Sequence, residues 1–141
     1  MIKFAQPLDA GKIGRILSEF SEMTEWILHP HSLAENISFA SKMIDLGWVK
    51  VFEDIEILGF IARNGNEINA LYVAASARRR GVGKALLSDA KENSNELVLW
   101  TYAANYSAQQ FYSREGFREV RRTDGSQTDE KIPDVCLIWK K

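Results

Sequence analysis

One cysteine, Cys136, stands in 141 residues, so no disulfide can form within the chain and a reducing, cytoplasmic setting is the expectation. His29 and His31 have no cysteine near them and make no metal site by their pattern, so no structural or catalytic metal is expected. Charge of one sign is missing too: 18 basic residues against 19 acidic ones leave a net charge of -1. A chain built mainly to hold nucleic acid is usually far more basic, so no nucleic-acid partner is expected. No apolar run reaches the length of a membrane span, and the first residues lack the apolar stretch of a secretion signal. What remains is the reading of residues 1–141 as one domain, off the membrane and long enough to bury a real core.

Hydrophobic spacing orders that domain. Residues 2–5 suit a short first strand, and Ile13, Ile16, Leu17 and Phe20 fall at helical spacing between Leu8 and Phe20, although Gly11 and Gly14 weaken the first turn. Residues 21–31 read as irregular. Ser32 with Glu35 three residues later is a capping box that opens a second helix, and Gly47 stops it. Trp48 to Glu53 and Ile55 to Arg63 read as strands joined at Asp54. Asn64-Gly65 is a hairpin signal that leads into a strand from Glu67 to Val73. A helix over Val82 to Glu92, a strand over Glu96 to Tyr102 and a short helix over Ser107 to Arg114 follow. Phe117 to Arg122 and Val135 to Trp139 then read as a closing pair, where the last strand could also pair with a second copy to give a homodimer.

The chemistry sits where the strand Leu71-Tyr72-Val73 runs into Arg78, Arg79 and Arg80 and then into Gly81-Val82-Gly83-Lys84. Glycines let a backbone approach a ligand closely and adopt positive φ. The helix that follows offers unpaired N–H groups and a positive dipole end to a phosphate, and the arginines add forked donors. Two phosphate motifs fail on inspection. A P-loop would need glycine at Arg78 and a hydroxyl residue at Ala85; a dinucleotide fingerprint would need glycine at Leu86. A second pattern comes later: Asn105-x-x-Ala108-x-x-Phe111-Tyr112-x-x-x-Gly116-Phe117. With both patterns in this order the chain resembles the GNAT superfamily of acetyl-CoA-dependent N-acetyltransferases, over residues 67–118 most strongly.

That resemblance implies an α/β (α+β) fold with a mixed, mostly antiparallel sheet and helices on both faces, in the order β-α-α-β-β-β-α-β-α-β-β. It implies that Leu71, Tyr72 and Val73 bind the pantetheine arm of acetyl-CoA like an added strand, and that amides from Arg79 to Lys84 wrap the diphosphate. Arg78, Arg79 and Arg80 serve either that diphosphate or the outer 3′-phosphate, and the side chain of Lys84 either touches phosphate or is merely solvated. Tyr112 stands where many members place the acid that protonates the departing thiolate; the plainer alternative is a core tyrosine. A phenol at pKa ~10 facing a thiol at ~8.5 is a weaker acid by about 2 kcal/mol, which permits donation.

Asn105 caps its helix and could also bond the coenzyme. An amine near pKa ~10.4 costs roughly 4 kcal/mol to deprotonate at neutral pH. The resemblance implies a carboxylate base on the strand before the phosphate turn, where Glu67 is the one acid and Asn69 a water-holder. The alternatives are a merely solvated glutamate after the hairpin turn or no dedicated base. Trp26 and His29 are candidate acceptor contacts. A carboxylate rim of Asp124, Asp129, Glu130 and Asp134 would suit a cationic amine; the plainer alternative is that these acids keep their loop soluble. The expected acceptor is a small-molecule primary amine; a peptide acceptor and a non-catalytic coenzyme A sensor are the alternatives.

Overall fold

The computed structural model describes residues 1–127 and 131–141. Among these residues lie seven strands: β1 (Ile2–Phe4), β2 (Val49–Asp54), β3 (Glu56–Asn64), β4 (Glu67–Val73), β5 (Glu96–Tyr102), β6 (Arg118–Thr123) and β7 (Asp134–Lys140). The α-helices are α1 (Ala10–Glu22), α2 (Leu33–Asp45), α3 (Val82–Glu92) and α4 (Tyr106–Arg114). One sheet runs in the order β1-β2-β3-β4-β5-β7-β6. Every neighbouring pair is antiparallel except β4 and β5. The expected α/β class and element order are what the chain adopts.

Side chains alternate across the sheet and separate the helices onto its two faces. A methyl on Gly59 of β3 would lie 2.9 Å from Val82 Cγ1 and 3.4 Å from Leu86 Cδ1, so α3 covers that face. The next residue, Phe60, is fully buried on the other face. Its ring centroid lies 6.0 Å from Tyr72, which meets Phe20 of α1 at 5.0 Å. Helices α1 and α2 cross closely because residue 14 is glycine: a methyl there would stand 2.8 Å from the Ile37 backbone. The same crossing buries one polar pair, Asn36 Nδ2 donating to Ser18 Oγ at 2.9 Å. The capping box is present, with Glu35 N–H donating to Ser32 Oγ at 3.1 Å and Ser32 N–H donating to Glu35 Oε1 at 2.8 Å.

A bulge shapes the functional half. Along β3 and β4 the register passes from Ala62–Ala70 to Arg63–Ile68, which leaves Asn69 as the extra residue. Bulges bend and twist a strand, and here the bend coincides with the end of parallel pairing. β4 and β5 bond only at Glu67–Val98 and Ile68–Leu99, then diverge.

Three details depart from the sequence reading. α1 starts at Ala10 after a 3-10 turn over Pro7–Asp9, two residues later than its apolar spacing suggests. The β2–β3 turn places Ile55, fully exposed, at φ 68°, a conformation that a β-branched residue adopts only under strain. The last strand cannot take a second copy along its edge, because β7 lies between β5 and β6; the edges are β1 and β6. No helix among the described residues is long and apolar enough to cross a membrane.

Candidate active site

After Val73 the chain turns through a 3-10 segment, Ala75–Ala77, into the arginines. Ala74 and Ala77 are buried and pin that segment, and Ala74 N–H donates to Leu58 O at 2.8 Å. Arg79 at φ 64° and Gly81 at φ 78° then take left-handed backbone. Glycine does so freely, whereas an arginine pays roughly 1–2 kcal/mol. Gly81 is the N-cap of α3 and has no side chain to bond the first amides of the helix. Ala85 N–H closes the first helical bond, to Gly81 O at 3.0 Å. The amides of Val82, Gly83 and Lys84 therefore lack helical acceptors, as the first turn of any helix does.

Gly83 keeps this mouth open. A methyl on it would lie 3.5 Å from Phe111 Cζ and 3.6 Å from Val73 Cγ2, which is ordinary contact. The chain's own packing does not demand glycine there; a ligand drawn up to the amides would. Arg78, Arg79, Arg80 and Lys84 are all exposed around it. Arg80 stands 4.0 Å from Asp54, a surface contact of little energy.

Where β4 and β5 part, a cleft of about 230 Å³ opens. Asn69, Leu71 and Tyr72 line it from β4, Trp100 and Tyr102 from β5, Asn105 and Tyr112 from α4, and Asp134 from β7. The ring of Tyr112 is buried, edge-on to Phe111 at 5.2 Å and Phe117 at 5.3 Å. Burial pushes its phenol above the ordinary tyrosine value, and Tyr72 nearby adds to the rise. No described residue bonds its hydroxyl, yet among the described residues none of the sealed side-chain polar atoms is left unsatisfied. The hydroxyl therefore reaches the cleft.

Asn105 has its capping role, with Ala108 N–H donating to its Oδ1 at 3.1 Å, and its side chain also borders the cleft. Gln109 had no role from the sequence. Its Nε2 donates to the carbonyls of Tyr102, Ala103 and Asn105 at 3.2, 2.9 and 3.2 Å and so fastens the loop between β5 and α4.

A second, wider hollow of about 1080 Å³ adjoins the cleft and shares Tyr72 and Tyr102 with it. Trp26 and His29 line it, as do His31 and Phe39, and Lys131 to Pro133 form its far wall. Trp26 packs edge-on to Tyr102 at 5.0 Å and to Phe20 at 6.4 Å. The expected carboxylate rim does not line this groove: no acid among the described residues does. Asp124 is exposed, and Asp129 and Glu130 lie outside the described residues.

Glu67 is exposed at the paired end of β4 and is not in the cleft wall. Asp134 is. Sequence reasoning had grouped Asp134 with loop acids, and only the strand register, which sets it beside Tyr102, separates it from them. Among the described residues no group of three or more His, Cys, Asp or Glu could hold a metal ion.

Residues 18–134 match the family described as acetyltransferase (GNAT) domain. The peptidyl-lysine N-acetyltransferase YiaC of Escherichia coli is 36% identical over 89 residues, which cover 62% of this chain and 59% of that protein. The peptidyl-lysine N-acetyltransferase YjaB of Salmonella typhimurium is 28% identical over 92 residues, covering 65% of this chain and 63% of that one. Each match thus spans about three fifths of the relative's length. The solution structure of apo-form YjaB from Escherichia coli superposes with a TM-score of 0.81 at 20% identity, over 99% of this chain and 96% of that one.

Proposed function

Because the chain belongs to the acetyltransferase (GNAT) domain family, we propose that it moves the acetyl group of acetyl-CoA onto a primary amine. The observation that carries this is the hydroxyl of buried Tyr112 opening into a cleft that begins where β4 and β5 diverge. Acetyl-CoA is read here as a substrate. Its diphosphate would meet the amides from Arg79 to Lys84, with Arg78, Arg79 and Arg80 adding charge at the rim. Its pantetheine arm would run along Leu71, Tyr72 and Val73, which puts the thioester in the cleft. Holding two reactants in a near-attack pose supplies up to roughly 7–11 kcal/mol of the barrier.

The amine nitrogen attacks the thioester carbonyl carbon, and the C–S bond breaks with its electron pair on sulfur. Tyr112 then protonates the thiolate. Burial raises the phenol and makes it a poorer acid, but a thiolate in the same dry cleft is raised as well. Between the free groups the gap is about 2 kcal/mol. Asn105 keeps its amide NH₂ for the coenzyme while its oxygen caps α4. Glu67, the base expected from the sequence, stands outside the cleft wall, so any part it plays runs through water.

For the acceptor, two observations favour a lysine side chain of a polypeptide over the small-molecule amine expected from the sequence. The groove of about 1080 Å³ beside the cleft lies at the upper end of the ~300–1,000 Å³ usual for small ligands and has room for residues that flank a lysine. YiaC and YjaB, two of the relatives that match this chain, carry the name peptidyl-lysine N-acetyltransferase. Trp26 and His29 would then contact residues flanking the lysine.

Thiol release from acetyl-CoA, measured with lysine peptides, polyamines and small alkylamines, tests the proposal. Peptides are expected to exceed alkylamines in kcat/KM by at least about tenfold. Equal or better use of small amines would overturn the acceptor class and leave the transfer standing. Tight coenzyme binding with no thiol release from any amine would make the chain a coenzyme A sensor instead.

A further inference from the structure

We propose that Asp134 takes the proton from the acceptor's ammonium group, acting in the same cleft as Tyr112. Among the described residues it is the only carboxylate in the cleft wall. Thr123 Oγ1 donates to Asp134 Oδ1, and Gly125 N–H donates to Thr123 Oγ1 at 3.2 Å, which turns the hydroxyl hydrogen toward the carboxylate. No described residue bonds Oδ2. One oxygen is held, and the residue stands in the cleft wall.

The end of the β6–β7 hairpin is built to place this group. Gly125 sits at φ 83°, and a methyl on it would overlap the Ile132 backbone, so only glycine lets the two arms close. Ala103 N–H donates to Pro133 O at 2.9 Å and ties the start of β7 to the end of β5. The register then sets Asp134 against both Tyr102 and Thr123.

Among the described residues, the titratable and charged groups around it are Arg121 on β6, Cys136 on β7, Tyr102 on β5, Tyr112 on α4 and Glu67 on β4. Burial first, and then Asp134 and Glu67, raise the Cys136 thiol while Arg121 opposes them, so these charges share one face of the sheet. Arg121 is turned onto the Trp100 ring, 5.1 Å from its centroid.

This role presupposes acetyl transfer to an amine. An alkylammonium gives one proton to Asp134 Oδ2 and becomes a neutral amine. Its lone pair forms the C–N bond and the C–S bond breaks. Tyr112 gives its proton to sulfur and recovers one from the new amide nitrogen. Of the three protons on the ammonium, one ends on Asp134, one on the coenzyme thiol through Tyr112, and one stays on the amide.

The test compares Asp134→Asn, Thr123→Val and Glu67→Gln with the native chain, using a lysine peptide and hydroxylamine, which is already neutral at pH 7. Coenzyme affinity is followed by calorimetry. For Asp134→Asn, kcat/KM with the peptide is expected to fall at least about a hundredfold at pH 7. It should recover as pH approaches the amine's own pKa. Hydroxylamine turnover, after subtraction of the uncatalysed rate, should stay within about threefold, and coenzyme affinity should hold. Thr123→Val, which leaves the carboxylate in place but unheld, should lose about tenfold with the peptide only.

A native pH profile in either Asp134→Asn or Thr123→Val, or an equal loss with both nucleophiles, would overturn the role. So would finding the pH-dependent loss in Glu67→Gln instead. A native chain that binds acetyl-CoA and releases thiol with neither nucleophile would overturn the transfer reading and this role together.

Discussion

The two halves of the site are made of different material. In the proposed reading the coenzyme half is one continuous stretch, from Leu71 to Lys84, in which main-chain amides are shaped by two left-handed residues. The proposed acceptor half is assembled from side chains of the α1–α2 connection, the ends of β4 and β5, and the β6–β7 hairpin. Backbone recognition constrains which residues are allowed, because glycine most easily takes the left-handed turn and leaves the amides uncovered. Side-chain recognition constrains which residues meet, and that is a property of the fold. The first half should therefore fail by losing the coenzyme, and the second by losing the amine.

Tyr112 joins the halves, and its substitution should have the largest effect. Tyr112→Phe removes a hydroxyl that no described residue bonds, so the fold should be nearly unaffected while kcat falls by about 10²–10⁴. Steady-state kinetics beside coenzyme calorimetry check this; an unchanged kcat would remove the acid role. The raised phenol also has a stability consequence. Its folded value lies above the unfolded one, so its contribution is complete below pH ~10 and is lost as pH climbs beyond that. Native protein should lose stability above that pH more steeply than Tyr112→Phe in alkaline denaturant titrations.

Gly83→Ala comes next. The protein has room for the methyl, so the melting temperature should hold, while coenzyme affinity drops about 10–100-fold as one or two charge-assisted bonds are lost. Retained affinity would mean that the amides are not the anion site. Trp26→Ala should be milder and opposite in kind, with acceptor KM raised about tenfold and coenzyme affinity unchanged. If coenzyme affinity fell instead, the division between the halves would break down.

The same division decides what could be read from the sequence. β4, α3 and β5 begin and end where the residue pattern sets them, because the Asn64-Gly65 turn, the helix-opening glycine and the β-rich runs are local signals. The glycine turn at 81–83 proposed for the anion was legible for the same reason. Asp134 was not, since an acid near other loop acids carries no mark until Thr123 and Tyr102 stand beside it in register. The Asn69 bulge and the left-handed Ile55 were also hidden: the bulge is a property of the β3–β4 register, and a β-branched residue does not favour positive φ. The groove behind Trp26 brings residues 26–39 to residues 131–133, a meeting that only the folded chain makes.

The most direct measurement is a titration of ¹⁵N-labelled protein with coenzyme A and, separately, with pantetheine, which lacks the phosphates. Coenzyme A should shift the amide signals of Gly81 to Lys84 at stoichiometric addition, while pantetheine moves those of Leu71 to Val73 and leaves the former in place. Saturable coenzyme binding that leaves the Gly81 to Lys84 amides unmoved would contradict the backbone anion site on which the whole arrangement depends.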